Sequence, residues 1–272
     1  MNNMRNRYDY RLDNLFSLKN EVVLVTGAAG DLGSNIVNGL IDSNALVVAT
    51  DTDIQLLENS AKRLGWDEKK IVLAQCDIRN RDHIVNVLAR GINAYGHVTA
   101  LVANAGVSVF EPWLERPEES IDWVMDVNIK GTLLCIQEFL KYRKEHDGGG
   151  SIVTIGSHYA AVSPDPRIYT DCDRRNSEIY GASKAGIIQM TRYFAVHAAE
   201  YNVRTNAVSP GGIRNPGNPQ GDDFQKNYSY RCPMKRMAET HEMIGAILFL
   251  LSPAASYING QNIIIDGGTT CW

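Results

Sequence analysis

Short β-branched runs, apolar at nearly every position, recur along this chain at 22–26, 45–50, 71–74, 98–103, 151–155, 203–208 and 262–265. A strand with one wet face alternates apolar and polar residues. An unbroken apolar run needs cover on both faces, which is the environment of a parallel sheet between helices. The intervals carry the matching helical period. Leu32, Ile36, Val37, Leu40 and Ile41 make one apolar face, and Ile84, Val87, Leu88 and Ile92 make another. The stretches 118–142 and 177–201 are predicted as the longest helices. This alternation predicts an α/β protein, a doubly wound parallel sheet of about seven strands with helices on both faces. No repeat or linker divides the chain, and Gly148-Gly149-Gly150 reads as a loop before a strand. The expected organisation is an N-terminal extension over 1–17 and a single domain over 18–272.

Charge and hydropathy narrow the partners. The 272 residues include 27 Lys and Arg against 31 Asp and Glu, a formal charge of −4. With no basic excess to neutralise phosphates, nucleic acid is not an expected partner. The longest apolar run, 246–251, stops at Ser252-Pro253, far short of the roughly 20 residues that span a bilayer; no membrane association is expected. The N-terminal residues bring Arg5, Arg7 and Arg11 without the apolar stretch of an export signal, and Asp9 and Asp13 oppose a mitochondrial presequence. Cys76, Cys135, Cys172, Cys232 and Cys271 form no CxxC pair. That predicts free thiols, no metal site and a cytoplasmic location. A small molecule is the expected ligand.

The first apolar run leads into Thr26-Gly27-Ala28-Ala29-Gly30-Asp31-Leu32-Gly33 and then an amphipathic helix. Glycines between a strand and a helix let the backbone approach a pyrophosphate, whose charge meets the helix's free N–H groups and dipole. Gly27, Gly30, Asp31 and Leu32 are therefore candidate cofactor contacts. Asp51 closes the second run, 18 positions after Gly33. A carboxylate there accepts both hydroxyls of an adenosine ribose and repels a 2′-phosphate. Thr52 follows it and the glycine turn holds no Arg or Lys, so the expected cofactor is NAD rather than NADP. The irregular stretches 163–175 and 211–230 both follow strands, where doubly wound sheets bind ligands, and are expected to wall the site.

Further motifs follow in order: Asn104-Ala105-Gly106, Asn128, Ser157, Tyr180-x-x-x-Lys184, Pro210-Gly211-Gly212-Ile213, and Tyr257-Ile258-Asn259-Gly260-Gln261 running to Asp266-Gly267-Gly268. With the glycine turn, this series resembles the short-chain dehydrogenase/reductase family, in its short single-domain branch, over residues 18–268. The resemblance implies a Rossmann-type fold and an oxidoreductase interconverting a secondary alcohol and a ketone. It casts Asn128, Ser157, Tyr180 and Lys184 as the catalytic set. Tyr180 and Lys184 share a helix face. An ordinary phenol ionises near pH 10, about three units above neutrality, and Lys184 with the positive nicotinamide ring is expected to lower it. Tyr180 would then act as base in alcohol oxidation and acid in carbonyl reduction. Ser157 would hold the substrate oxygen, and Asn128 would kink its helix and hold a relay water. By the same resemblance Asp77 and Ile78 border the adenine. Asn104, Ala105 and Gly106 flank the cofactor beside Tyr180 and Lys184, and Pro210, Gly211 and Ile213 meet its nicotinamide end.

The pattern is broken at two places. The branch's usual Thr-Gly-x-x-x-Gly-x-Gly has its middle glycine one place early, at Gly30, with Asp31 in the slot. That spacing is similar to the longer epimerase/dehydratase branch, and Asp31 reads either as a helix cap or as a charge opposing the pyrophosphate. Ser157 and Tyr180 stand 23 positions apart, about twice the family spacing. The surplus, 163–175, holds Asp165, Arg167, Tyr169, Asp171, Asp173, Arg174 and Arg175. Over the reacting carbonyl, such a rim suits a sugar, polyol, aldonate or amino-sugar substrate, with His158 and Arg167 as candidate contacts. Trp113, Trp123 and Trp272 read as packing or interface residues. The alternatives are a nucleotide-sugar epimerase or dehydratase with tightly held NAD, a 3-oxoacyl-type reductase, and a cofactor sensor without chemistry. The resemblance also implies a homotetramer or homodimer, with Met190, Phe194, Val196 and Ala198 in the corresponding helix.

Overall fold

The computed structural model describes residues 11–146, 148–170, 175–215 and 221–272. After a short helix α1 (Leu12–Leu15), strands and helices alternate as β1 (Val22–Thr26), α2 (Asp31–Asp42), β2 (Leu46–Asp51), α3 (Ile54–Leu64), β3 (Ile71–Gln75), α4 (Arg81–Tyr95) and β4 (Ala100–Ala103). Then come α5 (Glu118–Val124), α6 (Thr132–Glu145), β5 (Gly150–Ile155), α7 (Glu178–His197), β6 (Val203–Pro210), α8 (Asp222–Arg231), α9 (Ile244–Leu251) and β7 (Asn262–Ile265). The strands form one seven-stranded sheet in the order β3-β2-β1-β4-β5-β6-β7, and all neighbours pair in parallel. The runs of β1, β2, β4, β5 and β6 are buried on both faces as expected, whereas β7, at the sheet edge, is half-buried with Ile264 exposed. Successive β1 residues feed opposite cores: Val23 and Val25 pack with Ile36 and Leu40 of α2 and Ile247 of α9. Val22 and Leu24 pack with Ile84 of α4 and Phe139 of α6.

The connections leave β1 in opposite directions, toward β2 on one side and β4 on the other. A crevice opens at such a switch point, at the carboxyl ends of the strands. Asn104 clamps it: its side-chain amide donates to the carbonyls of Thr26 (2.9 Å) and Gly27 (3.0 Å).

One predicted helix is broken. Over 118–142, a π-helical turn at Met125–Gly131 separates α5 from α6. Asn128 lies inside it, fully buried. Its amide accepts from the Val107 N–H (2.8 Å) and donates to the Val107 carbonyl (2.9 Å) and to Ser183 (2.9 Å). The wide turn aims this side chain inward, and the bonds tie the loop after β4 to α7.

The described part of the 163–175 stretch is not a solvated rim. Ile168 and Tyr169 are buried against Tyr228, Cys232 and Met237 in a third small core, and Asp165 pairs with Arg231 of α8 (2.8 Å). Asp171, Cys172, Asp173 and Arg174 lie outside the described residues. Phe194 of α7 and Ala198 just after it pack into the core, whereas Tyr193 and Val196 of α7 are exposed (56% and 72%). No helix among the described residues is long and apolar enough to cross a membrane.

Candidate active site

The glycine turn owes its shape to backbone that admits no side chain. Gly27 has φ +64°, and a Cβ there would lie 2.8 Å from the Ala105 Cα. A Cβ on Gly33 would collide with the Gly27 carbonyl and crowd the Ala28 Cα at 2.9 Å. Gly30 differs, since nothing lies closer to its Cβ position than the Gly27 carbonyl at 3.6 Å. It faces an open cleft.

Gly30, not Asp31, is the N-cap of α2; Asp31 is the first helical residue. The capping expectation for Asp31 is therefore corrected. Its carboxylate accepts from the Thr240 hydroxyl at 2.5 Å, a partner far along the chain. An acidic residue in a first turn also suits the helix dipole, and the Thr240 bond holds its charge to one side of the turn.

The cleft has a volume of about 850 Å³. Twelve sequence-predicted residues line it: Gly27, Gly30, Asp31, Leu32, Asp51, Asp77, Ile78, Asn104, Ala105, Gly106, Tyr180 and Lys184. It is long enough in residue span, from β3 to α7, for a dinucleotide, and the bare α2 N-terminus suits a pyrophosphate. Asp51 accepts from the Ala29 N–H (3.0 Å), which anchors its carboxylate beside the turn. Asp77 is held by Arg79 through bonds of 2.7–3.1 Å, and this pairing keeps its carboxyl below the usual range.

Gly211 and Ile213 do not line the cleft. With Ser157, His158, Tyr169 and Tyr228 they line a second cavity of about 170 Å³, which shares Phe110, Asn176 and Tyr180 with the cleft. Pro210 contributes its carbonyl, which accepts from the His158 Nδ1–H at 3.1 Å. His158 is 4% exposed, and burial lowers its pKa, so the ring is the neutral form. With the proton on Nδ1, Nε2 is left as an acceptor. Arg167 lines neither cavity; its side chain is 71% exposed and paired with Asp165. Its predicted substrate contact is not brought together with the rest. Phe110, Asn176 and Tyr228 were missed by sequence reasoning, and only Asn176, four residues before Tyr180, carried a positional hint.

Ser157, Tyr180 and Lys184 converge where the two cavities meet. Ser157, two residues past the end of β5, stands close enough to the Tyr180 phenol to favour its ionised form. The Lys184 ammonium lies 5.5 Å from the centre of the Tyr180 ring and donates to the Ile155 carbonyl at 2.8 Å. Asn128 stands behind them, and a Cβ on Gly106 would come within 3.4 Å of both Lys184 Nζ and Asn128 Oδ1. Burial pushes the Tyr180 phenol above its usual range, with the Ser157 side chain partly opposing. Burial also brings Lys184 down to about 8.

Comparisons with known proteins agree with this architecture. A family model described as Enoyl-(Acyl carrier protein) reductase matches residues 27–270. The ribulose-forming D-arabinitol 2-dehydrogenase of Scheffersomyces stipitis is 30% identical over 97% of this chain and 100% of its own. The NAD-dependent glycerol dehydrogenase of Listeria innocua is 31% identical over 95% of this chain and 97% of its own. A short chain dehydrogenase from Leptospira borgpetersenii, solved with bound NAD+, has a TM-score of 0.84 at 34% identity, covering 97% of this chain and 98% of that one. Matches that run through the glycine turn and on past β7 leave one conclusion: the chain belongs to the short-chain dehydrogenase/reductase family, oxidoreductases acting on CH–OH groups.

Proposed function

We propose that this protein interconverts a secondary alcohol and a ketone on a sugar, polyol, aldonate or amino-sugar-type substrate, with NAD(H) as its cofactor. The observation that carries this reading is the convergence of Ser157, Tyr180 and Lys184 at the junction of the long cleft and the small cavity. When bound, the nicotinamide would supply the hydride acceptor or donor, and its positive oxidised ring would be the added charge that favours the Tyr180 phenolate. Ser157 orients the substrate oxygen. Tyr180 takes its proton in oxidation and returns it in reduction. Lys184, fixed by Ile155, lowers the phenol's pKa, and Asn128 supports a proton path behind it. Asp51 holds the adenosine ribose and disfavours a 2′-phosphate.

The polyol assignment draws on the small volume of the second cavity, whose lining includes Ser157, His158 and Asn176, and on the polyol dehydrogenases among the relatives. An acyl-carrier substrate is the second reading, favoured by the description of the matching family model. We also infer a homotetramer or homodimer, because Tyr193 and Val196 leave an apolar strip exposed on α7; light scattering tests it. For the reaction, purified protein is offered pentitols, glycerol, aldonates, amino sugars and a 3-oxoacyl thioester, each with NAD(H) and NADP(H). Net NAD turnover with a polyol or sugar supports the reading. Turnover of the thioester alone, or a retained cofactor with no net redox change, overturns it.

A further inference from the structure

Asn176 lies just before α7 and lines the long cleft, the small cavity, and a third cavity of about 600 Å³ bounded by Trp113, Arg116 and Pro166. Its amide orientation is set by chemistry. The Ser177 backbone N–H donates to Asn176 Oδ1 at 2.9 Å, so the atom there must be the oxygen. The Ser108 hydroxyl donates to the same oxygen at 3.0 Å. The amide is thus anchored through its oxygen from two sides, and Nδ2 has no hydrogen-bond partner among the described residues. Its backbone is steadied by the Tyr169 hydroxyl (3.4 Å), which belongs to the small core beneath the cavity. Ser177 in turn caps α7 by accepting from the Tyr180 N–H at 3.2 Å. The spare donor therefore lines the same two cavities as the Tyr180 phenol that handles the reacting oxygen.

Resting on the alcohol dehydrogenase reading above, we propose that Asn176 is a specificity-determining residue whose Nδ2 donates to a hydroxyl on the carbon next to the reacting carbinol. The site then selects vicinal diols and, in reverse, α-hydroxy ketones. A hydroxyl also has a proton to donate, and the His158 Nε2 acceptor on the same cavity is there to receive it. A substrate without the neighbouring hydroxyl leaves both groups facing an apolar carbon, and unpaired polar groups are what make such sites discriminate.

Glycerol, 1,2-propanediol and 2-propanol share a secondary carbinol flanked by two, one and no hydroxyls, at nearly constant size. Their kcat/KM values with NAD are compared in the wild type, Asn176→Asp and Asn176→Ala. Asp keeps an oxygen for Ser177 and Ser108 but removes the donor. The wild type is expected to prefer glycerol over 2-propanol at least tenfold, and both variants to bring that preference below threefold. Taking the ratio cancels any general effect on Tyr180, and NADH binding by fluorescence confirms a folded site. A preference that is absent in the wild type, or unchanged in both variants, overturns the assignment even while turnover of a polyol upholds the dehydrogenase reading. No NADH from these alcohols or from pentitols overturns that reading itself.

Discussion

The Lys184 ammonium is tied to the Ile155 carbonyl by a 2.8 Å hydrogen bond, and that bond decides where its charge acts. Ile155 is the last residue of β5, two before Ser157, so strand, serine and lysine form one rigid frame around Tyr180. Burial has brought Lys184 down to about 8 from the ordinary 10.5. The unfolded chain binds the extra proton between those values, so this group makes stability rise with pH from about 8 to 10.5, and its full penalty applies below 8. Lys184→Met removes a penalty of at most ~3 kcal/mol. The variant is expected to melt above the wild type at pH 7 while losing at least a hundredfold in kcat. Paired melting curves and rates at pH 7 and pH 10 check this, with a smaller stability gain at the higher pH.

The direction of the pH–rate profile follows from Tyr180. Oxidation needs the phenolate and reduction the phenol, and burial holds the phenol above its usual range. Oxidation rates should therefore climb with pH above neutrality, and reduction rates should fall over the same window. Initial rates in both directions, from pH 6 to 10 in one buffer series, would show opposed limbs.

Gly30 and Gly33 should separate folding from binding. A Cβ on Gly33 meets backbone it cannot displace, whereas a Cβ on Gly30 meets nothing within 3.5 Å and points into the cleft. Gly33→Ala is expected to yield unstable protein. Gly30→Ala should fold, with its melting temperature within a few degrees of wild type, and bind NADH at least tenfold more weakly by fluorescence titration.

The proposed preference for NAD over NADP rests on Asp51. Asp51→Ser removes the charge facing a 2′-phosphate, and a hydroxyl keeps some contact with the Ala29 N–H that Asp51 now accepts from. The NAD:NADP ratio of kcat/KM should fall at least tenfold. An unchanged ratio would place the discrimination elsewhere in the cleft.

What could be read from the sequence was what local pattern encodes. Buried parallel strands are apolar at nearly every position, so β1 was legible to the residue at 22–26. The glycine turn announced itself because Gly27 and Gly33 have no sterically allowed replacement. The π-helical turn was not legible as such, since it depends on Asn128 bonding Val107, 21 residues away. Asp31 looked like a cap because Thr240 is 209 residues distant in sequence. The 163–175 stretch looked like a polar rim because its charges outnumber Ile168 and Tyr169, the residues that actually anchor it. Asn176 carries no motif, and only the fold brings Ser108 to it.

The account stands on Tyr180 as the proton-transferring group, and Tyr180→Phe tests it most directly. The substitution deletes one hydroxyl from a half-buried ring and leaves the glycine turn and Asp51 intact. Measured side by side on the same purified protein, kcat with the best polyol should fall at least a thousandfold, while the NADH dissociation constant stays within threefold of wild type. Turnover within tenfold of wild type, with NADH still bound, would contradict the account.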